Sequence, residues 1–304
     1  MEFFRTNTNI PFMKQRMGAA IFSAFIFIAS LLSIFHNGLN LGLDFTGGTL
    51  IEMQFEKMTN AADLRASLNK IGFEKAVVQA YSATEYSIRV APSKAMSQSA
   101  LKQKIHQALP SGRFESISYI GPSVGQELVS SGVLAVVVSF LCIMLYIAIR
   151  FEYRFAISAA IALIHDPILI LGIFSYFHLE FNLIVLTALL TVLGYSLNDT
   201  IVVYDRVREN FRKMRKKSTV AIMDASINQT LSRTIMTSGL TLLVVIALII
   251  FGGPSLDLFA IALAIGIVIG TYSSIYVAGS LAVSFGLSRE NLLPNKKGFD
   301  DGLP

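Results

Sequence analysis

Charge is what this sequence has least of. Of 304 residues only 15% are Asp, Glu, Lys or Arg, against roughly a quarter in an ordinary soluble domain. Hydrophobic residues make up 53% and the mean hydropathy is +0.60. A single water-soluble core cannot hide that much apolar side chain, so the shortage points to lipid as a second solvent. Cysteine is nearly absent. Cys142 stands alone inside an apolar run, which excludes an intramolecular disulfide, so a domain outside the membrane must stand on its own core. Cys142 itself reads as a small buried hydrophobe. Catalytic signatures are missing as well. Two aspartates in apolar runs, Asp166 and Asp199, invite an intramembrane protease. No Gly-x-Gly-Asp surrounds Asp199, which reads Ser-Leu-Asn-Asp, and there is no His-Glu-x-x-His for zinc. The expectation is no enzyme, no metal and no cofactor.

What charge there is leans positive, net +5 with a pI of about 9.3. In a soluble protein that would suggest nucleic acid. Here the segment 205–233 holds eight Lys/Arg against three Asp/Glu, so its excess equals that of the whole chain. A basic segment between apolar spans is an orientation signal, and no nucleic-acid partner is expected.

Apolar runs of about 18 residues or more mark spanning helices. They fall at Met17–Phe35, Leu128–Ile149, Phe155–Phe177, Phe181–Tyr204, Thr234–Phe251 and within Leu258–Gly286. The first follows Lys14 and Arg16 but lacks a convincing small-x-small cleavage site, so it reads as an uncleaved anchor. Arg5, Lys14 and Arg16 precede it; Arg150 and Arg154 lie between spans two and three, and Arg289, Lys296 and Lys297 follow the sixth. The turns Phe177–Asn182 and Gly252–Asp257 have no Lys or Arg. The positive-inside rule then places both termini in the cytoplasm. The expected organisation is a cytoplasmic segment 1–16, a span 17–35, an outer domain 36–124, a five-helix region 125–287 with a basic cytoplasmic loop 205–233, and a cytoplasmic tail 288–304.

The outer region alternates like a small α+β domain. Thr49–Glu56, Ala76–Tyr81, Glu85–Ala91 and Arg113–Ile120 read as strands, and Asn60–Ile71 and Ser97–Leu109 as helices. The order βαββαβ is ferredoxin-like, an arrangement that says nothing of function by itself.

Polar residues inside spans are the candidate sites. A carboxylate in a span costs roughly 2.5–3.5 kcal/mol to insert, so Asp199 should face protein or water. It lies about 9 Å along a helix from Asp205. Arg233, at the start of the fifth span, has a depth that suits meeting it; an ordinary snorkelling cation is the other reading. His165 and Asp166 lie mid-span beside Pro167, which removes a backbone hydrogen bond. They fit a proton relay or a polar packing node equally. Thr187, Thr191, Gly194 and Asn198 share one face of the fourth span, a polar seam expected to point inward. Ala262, Gly266, Gly270, Ser274, Ala278 and Ala282 form a small-residue stripe for close packing in the sixth. Asp44, Gly47 and Gly48 should shape a turn where the chain enters the outer domain.

Several segments then carry a resemblance: Leu41-Gly-Leu-Asp-Phe-Thr-Gly-Gly48, Gly121-Pro-Ser-Val-Gly125, His165-Asp166, Gly194-Tyr-Ser-Leu-Asn-Asp-Thr200, Asp205-Arg-Val-Arg-Glu-Asn210, Gln229-Thr-Leu-Ser-Arg-Thr234 and Ser273-Ser-Ile-Tyr-Val-Ala278. Together they resemble the SecF branch of the SecD/SecF protein-export family over about 17–287. The resemblance implies an RND-like half of six helices that pairs with SecD in the bacterial inner membrane. It implies SecYEG, YajC and the preprotein as further partners. It also implies that Asp199 and Arg233 couple the proton-motive force to late preprotein export. A passive translocon scaffold and an RND-type transporter of small molecules are the alternatives. An outer domain of about 85 residues is small for the latter.

Overall fold

A computed structural model describes residues 9–73, 76–80, 82–91 and 98–288; expectations on Arg5, Tyr81, Ser97 and the tail from 289 lie outside them. In chain order the elements begin α1 (Arg16–Asn37), β1 (Asn40–Leu41), α2 (Leu43–Thr46), β2 (Gly48–Phe55), α3 (Ala61–Lys70), β3 (Val77–Ala80), β4 (Glu85–Val90), α4 (Gln98–Ala108) and β5 (Gly112–Ile120). They continue α5 (Pro122–Arg150), α6 (Tyr153–Tyr176), β6 (Glu180–Phe181), α7 (Leu183–Lys213), α8 (Thr219–Phe251), α9 (Pro254–Tyr272), a π-helical stretch Ser273–Ala278 and α10 (Gly279–Ser284). By contacts the chain forms two units. One is Leu41–Ala135 with Glu180–Leu183; the other holds the remaining helices.

Among the described residues six helical segments are long and apolar enough to cross a membrane, as composition requires. About half of the most apolar stretch of α6, of α7 and of the α9-to-α10 segment is buried, whereas α1, α5 and α8 are mostly exposed. The buried trio packs through small residues. A Cβ on Gly266 would run into Val192 of α7, and one on Gly270 would lie 2.9 Å from Ser196 Cβ. Ala262, Ala278 and Ala282 are fully buried. Tyr204 of α7 shares a hydrogen bond with Ser158 of α6 at 2.7 Å, and its hydroxyl lies 3.2 Å from the Ala278 carbonyl. The segment before α1 is held on α8: Met13 N–H donates to Asp224, and Ile10 exchanges two bonds with Asn228.

Two expectations are corrected here. The basic segment 205–233 is not a loop: α7 runs to Lys213 and α8 starts at Thr219. Arg, Lys and Glu are good helix formers, so the end of an apolar run is not the end of a helix. At 31 residues α7 extends about 46 Å, well past a hydrocarbon core of about 30 Å. Cys142, read as buried, is exposed on α5, because a helix with lipid as solvent shows its apolar side chains outward.

The sheet unit folds as its alternation dictates. The four strands run β3-β4-β2-β5, every neighbour antiparallel, with Ile51 opposite both Ile88 and Ile117. This is the ferredoxin-like order. Ile51, Met53 and Phe55 of β2 are buried with Leu64 and Leu68 of α3 and Ile105 of α4. Asn60 caps α3, its side chain accepting from Ala62 N–H at 3.0 Å, which satisfies one of the orphan donors of the first turn.

Candidate functional site

Two buried carboxylates organise the helical unit, each in its own polar cluster. Asp166 of α6 is fully buried. Its Oδ2 accepts from Ser196 of α7 at 2.5 Å and from Ser273, the first residue of the π-helical stretch, at 2.7 Å. Its Oδ1 lies 3.0 Å from His165 Nδ1. One carboxylate therefore joins three spans, and the π geometry, often found at functional sites, begins at the residue that reaches it. The His165 ring stacks on Phe27 of α1 at 6.0 Å, and its Nε2 is buried without a hydrogen-bond partner. The bonds to Asp166 have the geometry of a polar packing node between helices. A relay would have to leave through that second nitrogen.

Asp199 of α7 is 3% exposed. Ser238 of α8 donates to its Oδ2 at 3.4 Å and shares a 2.8 Å bond with Thr271 of α9. The Tyr195 hydroxyl reaches Ser238 and Thr241 at 3.4 and 3.5 Å. This cluster joins α7, α8 and α9 around a carboxyl that no cation touches. Arg233 was expected to meet it, and the structure forms no ion pair between them. Arg233 lies well inside α8, is exposed, and lines a charged cleft with Asp205, Arg206 and Glu209. A guanidinium keeps its hydration in such a cleft and would lose it beside Asp199. Asn210, buried about three turns past Asp199, donates to Ser226 and Gln229 at 2.8 and 2.9 Å and fastens α7 to α8.

The polar seam also differs from expectation. Thr187, Thr191, Gly194 and Asn198 do share a face of α7, but that face is exposed, and a Cβ on Gly194 would meet nothing within 4 Å. Periodicity gives a shared face; it does not say whether this chain covers it.

In the sheet unit, Gly47 and Gly48 have φ of 64° and 118°, values that glycine alone adopts readily. They turn the chain from α2 into β2. Asp44 accepts from Leu183 N–H at 2.9 Å. Sequence reasoning missed Ser196, Ser238, Thr271, Ser273, Arg89 and Glu180. Ser196 and Ser273 lie inside motifs already singled out, which was the available signal. Among the described residues no group of three or more His, Cys, Asp or Glu could hold a metal ion.

Comparison with known proteins agrees with the fold. Residues 100–288 match the family model "Protein export membrane protein SecD/SecF, C-terminal", and residues 32–57 match "SecD/SecF GG Motif". The chain is 50% identical over 299 residues to a protein translocase subunit SecF of Vibrio alginolyticus, covering 96% of this chain and 95% of that one. It is 42% identical over 292 residues to the Pseudomonas aeruginosa SecF, covering 94% of each. The crystal structure of SecDF, a translocon-associated membrane protein from Thermus thermophilus, matches with a TM-score of 0.86 at 35% identity. That match covers 93% of this chain but 39% of the SecDF chain. SecDF in a super-membrane-facing form matches at 0.70 with the same coverage. With two family models and near full-length relatives in agreement, this multi-pass chain belongs to the SecD/SecF family of protein-export membrane proteins, on its SecF side.

Proposed function

We propose that this chain is the SecF-type partner of a SecD subunit in the bacterial inner membrane, and that the pair uses the proton-motive force to promote late preprotein export. Asp199 carries the reading. It is a buried carboxyl inside a span, held by one long hydrogen bond and by no cation, and ionisable groups so placed are expensive and functional by default. Protonation at Asp199 changes the charge in a cluster shared by α7, α8 and α9, and those helices repack. Arg233 supports the ionised form from its cleft without moving a proton itself, since arginine stays protonated. Each charge crossing the membrane supplies about 2.3 kcal/mol per 100 mV.

The exposed seam Thr187, Thr191, Gly194 and Asn198 is the face we assign to SecD. A relative's SecDF chain is more than twice this chain's share of it, which leaves ample protein to cover the seam. Both termini are cytoplasmic by the distribution of Lys and Arg, and the sheet unit lies outside, where the preprotein leaves SecYEG. YajC belongs to the same expected assembly. The Asp166 node favours a second reading for part of the molecule, a scaffold in which polar groups only hold helices together. Export into inverted vesicles with and without a proton gradient separates the two. Asp199→Asn abolishes the gradient's benefit in the coupled reading and leaves it intact in a scaffold.

A further inference from the structure

The four residues Glu180–Leu183 join α6 to α7, yet by their contacts they belong with the sheet unit, although their chain neighbours on both sides belong to the helices. Five independent contacts explain it. Gly42 N–H donates to the Phe181 carbonyl at 2.8 Å. Arg89 of β4 pairs with Glu180 at 2.5 Å, each side chain 10% exposed, and donates also to the Leu41 carbonyl. Asp44 accepts from Leu183 N–H. Phe45 stacks on Phe181 at 5.8 Å. Gly42 has no room for a side chain, since its Cβ would lie 2.7 Å from Asn182 Cβ and 2.8 Å from Glu180 Oε1.

We propose that this turn is the joint through which movement of α7 reaches the sheet domain, with Arg89, Glu180 and Asp44 as its positioning residues. The proposal rests on the proton-coupled reading for its consequence. α7 carries Asp199, starts at Leu183, and its first backbone N–H is held by Asp44 of the segment that leads into β2. Whatever shifts the start of α7 therefore carries β4 and the Gly47–Gly48 turn with it. The ion pair makes the joint stiff. Removing one partner of a buried pair leaves the other charged and unsolvated, and Arg89 already has a buried Nε without a partner. The groups that act on Glu180 are Arg89 from β4 and Asp44 from α2. Burial raises the Glu180 carboxyl above its ordinary range, and Arg89 opposes that rise, so the ion pair at this joint is held at some cost.

The test uses the full chain assembled with SecD in vesicles, in a Cys142→Ser background. Spin labels at Ala83 and Leu183, both exposed, report the distance between sheet domain and turn. In the unsubstituted joint the distribution is narrow; Glu180→Gln and Arg89→Gln broaden it and remove most of the gradient-dependent export, while gradient-independent export is unchanged. Asp199→Asn removes the gradient's benefit but leaves the distribution narrow, which separates failure of the joint from failure of the coupling site. A narrow distribution with full gradient-dependent export in Glu180→Gln overturns the proposal. Gly42→Cys with Asn182→Cys provides a second test that keeps both Arg89 and Glu180. Disulfide Cβ atoms stand about 3.5–4.5 Å apart, so the backbone gives by about 1 Å to lock the joint. Locked protein exports normally if the joint moves as one body; a block on oxidation, reversed by reduction, shows that it opens during work and refutes the proposal.

Discussion

Replacing Asp166 discriminates between a packing node and a proton relay. Both serines converge on one oxygen, Oδ2, at 2.5 and 2.7 Å. Asparagine retains one carbonyl oxygen that can be placed there, with its amide turned toward His165 Nδ1. Alanine retains nothing. Interhelical side-chain bonds in a membrane protein average about 0.6 kcal/mol and reach about 1.7, so losing two costs about 1–3 kcal/mol. The freed serines recover part of this, since Ser273 already reaches the Gly270 carbonyl at 3.2 Å. Asp166→Ala is therefore expected to lose about 1–3 kcal/mol and Asp166→Asn less than half of that. Reversible unfolding in mixed micelles of graded denaturing detergent measures both. If Asn is as damaging as Ala, it is the charge and not the bond geometry that matters, and the node account is wrong. Gradient-dependent export should survive Asp166→Asn; its loss in a stably folded variant would make His165 and Asp166 a relay.

Other substitutions test other layers. Gly266→Ala places a Cβ against Val192, so α9 must back away from α7, at about 1–3 kcal/mol for overpacking; an unchanged unfolding midpoint would contradict the close approach. A Cβ on Gly194 has nothing within 4 Å, so Gly194→Leu should leave the isolated subunit's stability unchanged while co-purification with SecD fails. Retained assembly would remove α7's open face from the interface. At Glu180 burial outweighs Arg89 and the carboxyl is raised. The folded protein then binds more protons than the unfolded one. Glu180's contribution is full below the ordinary glutamate value of about 4.3 and declines as pH rises through the folded value. Glu180→Gln should flatten that part of the stability profile of the sheet unit; an identical slope in wild type and variant would show that other groups cause it.

The spans and the sheet domain were legible because each is set by local pattern. Apolar runs mark α1 and α5 through α9, and the alternation at Ile51, Met53 and Phe55 fixes which face of β2 is buried. The helical reading over Asn60–Ile71 matched α3, which Asn60 caps. What stayed hidden depends on contacts between distant segments. Ser196 and Ser273 are ordinary small residues in apolar helices until a π-helical turn and Asp166 bring them together. The exposure of Thr191 and Asn198 depends on whether a neighbour exists to cover them. Arg233 and Asp199 suit one another in depth but not in direction, because α8 is already several turns old at Arg233 and presents that side chain to a charged cleft. Arg89 and Glu180 are 91 residues apart, and nothing local in either pairs them.

The central claim is that Asp199 couples proton flow to export. It is tested most directly by export of a preprotein into inverted vesicles carrying the subunit with SecD, wild type against Asp199→Asn, each with and without a proton gradient. Asparagine keeps the shape and the Ser238 contact but cannot carry the proton. The account predicts that the gradient's extra export disappears while insertion, assembly with SecD and gradient-independent export are unchanged. An equal benefit from the gradient in both proteins would make Asp199 a structural residue and the subunit a scaffold.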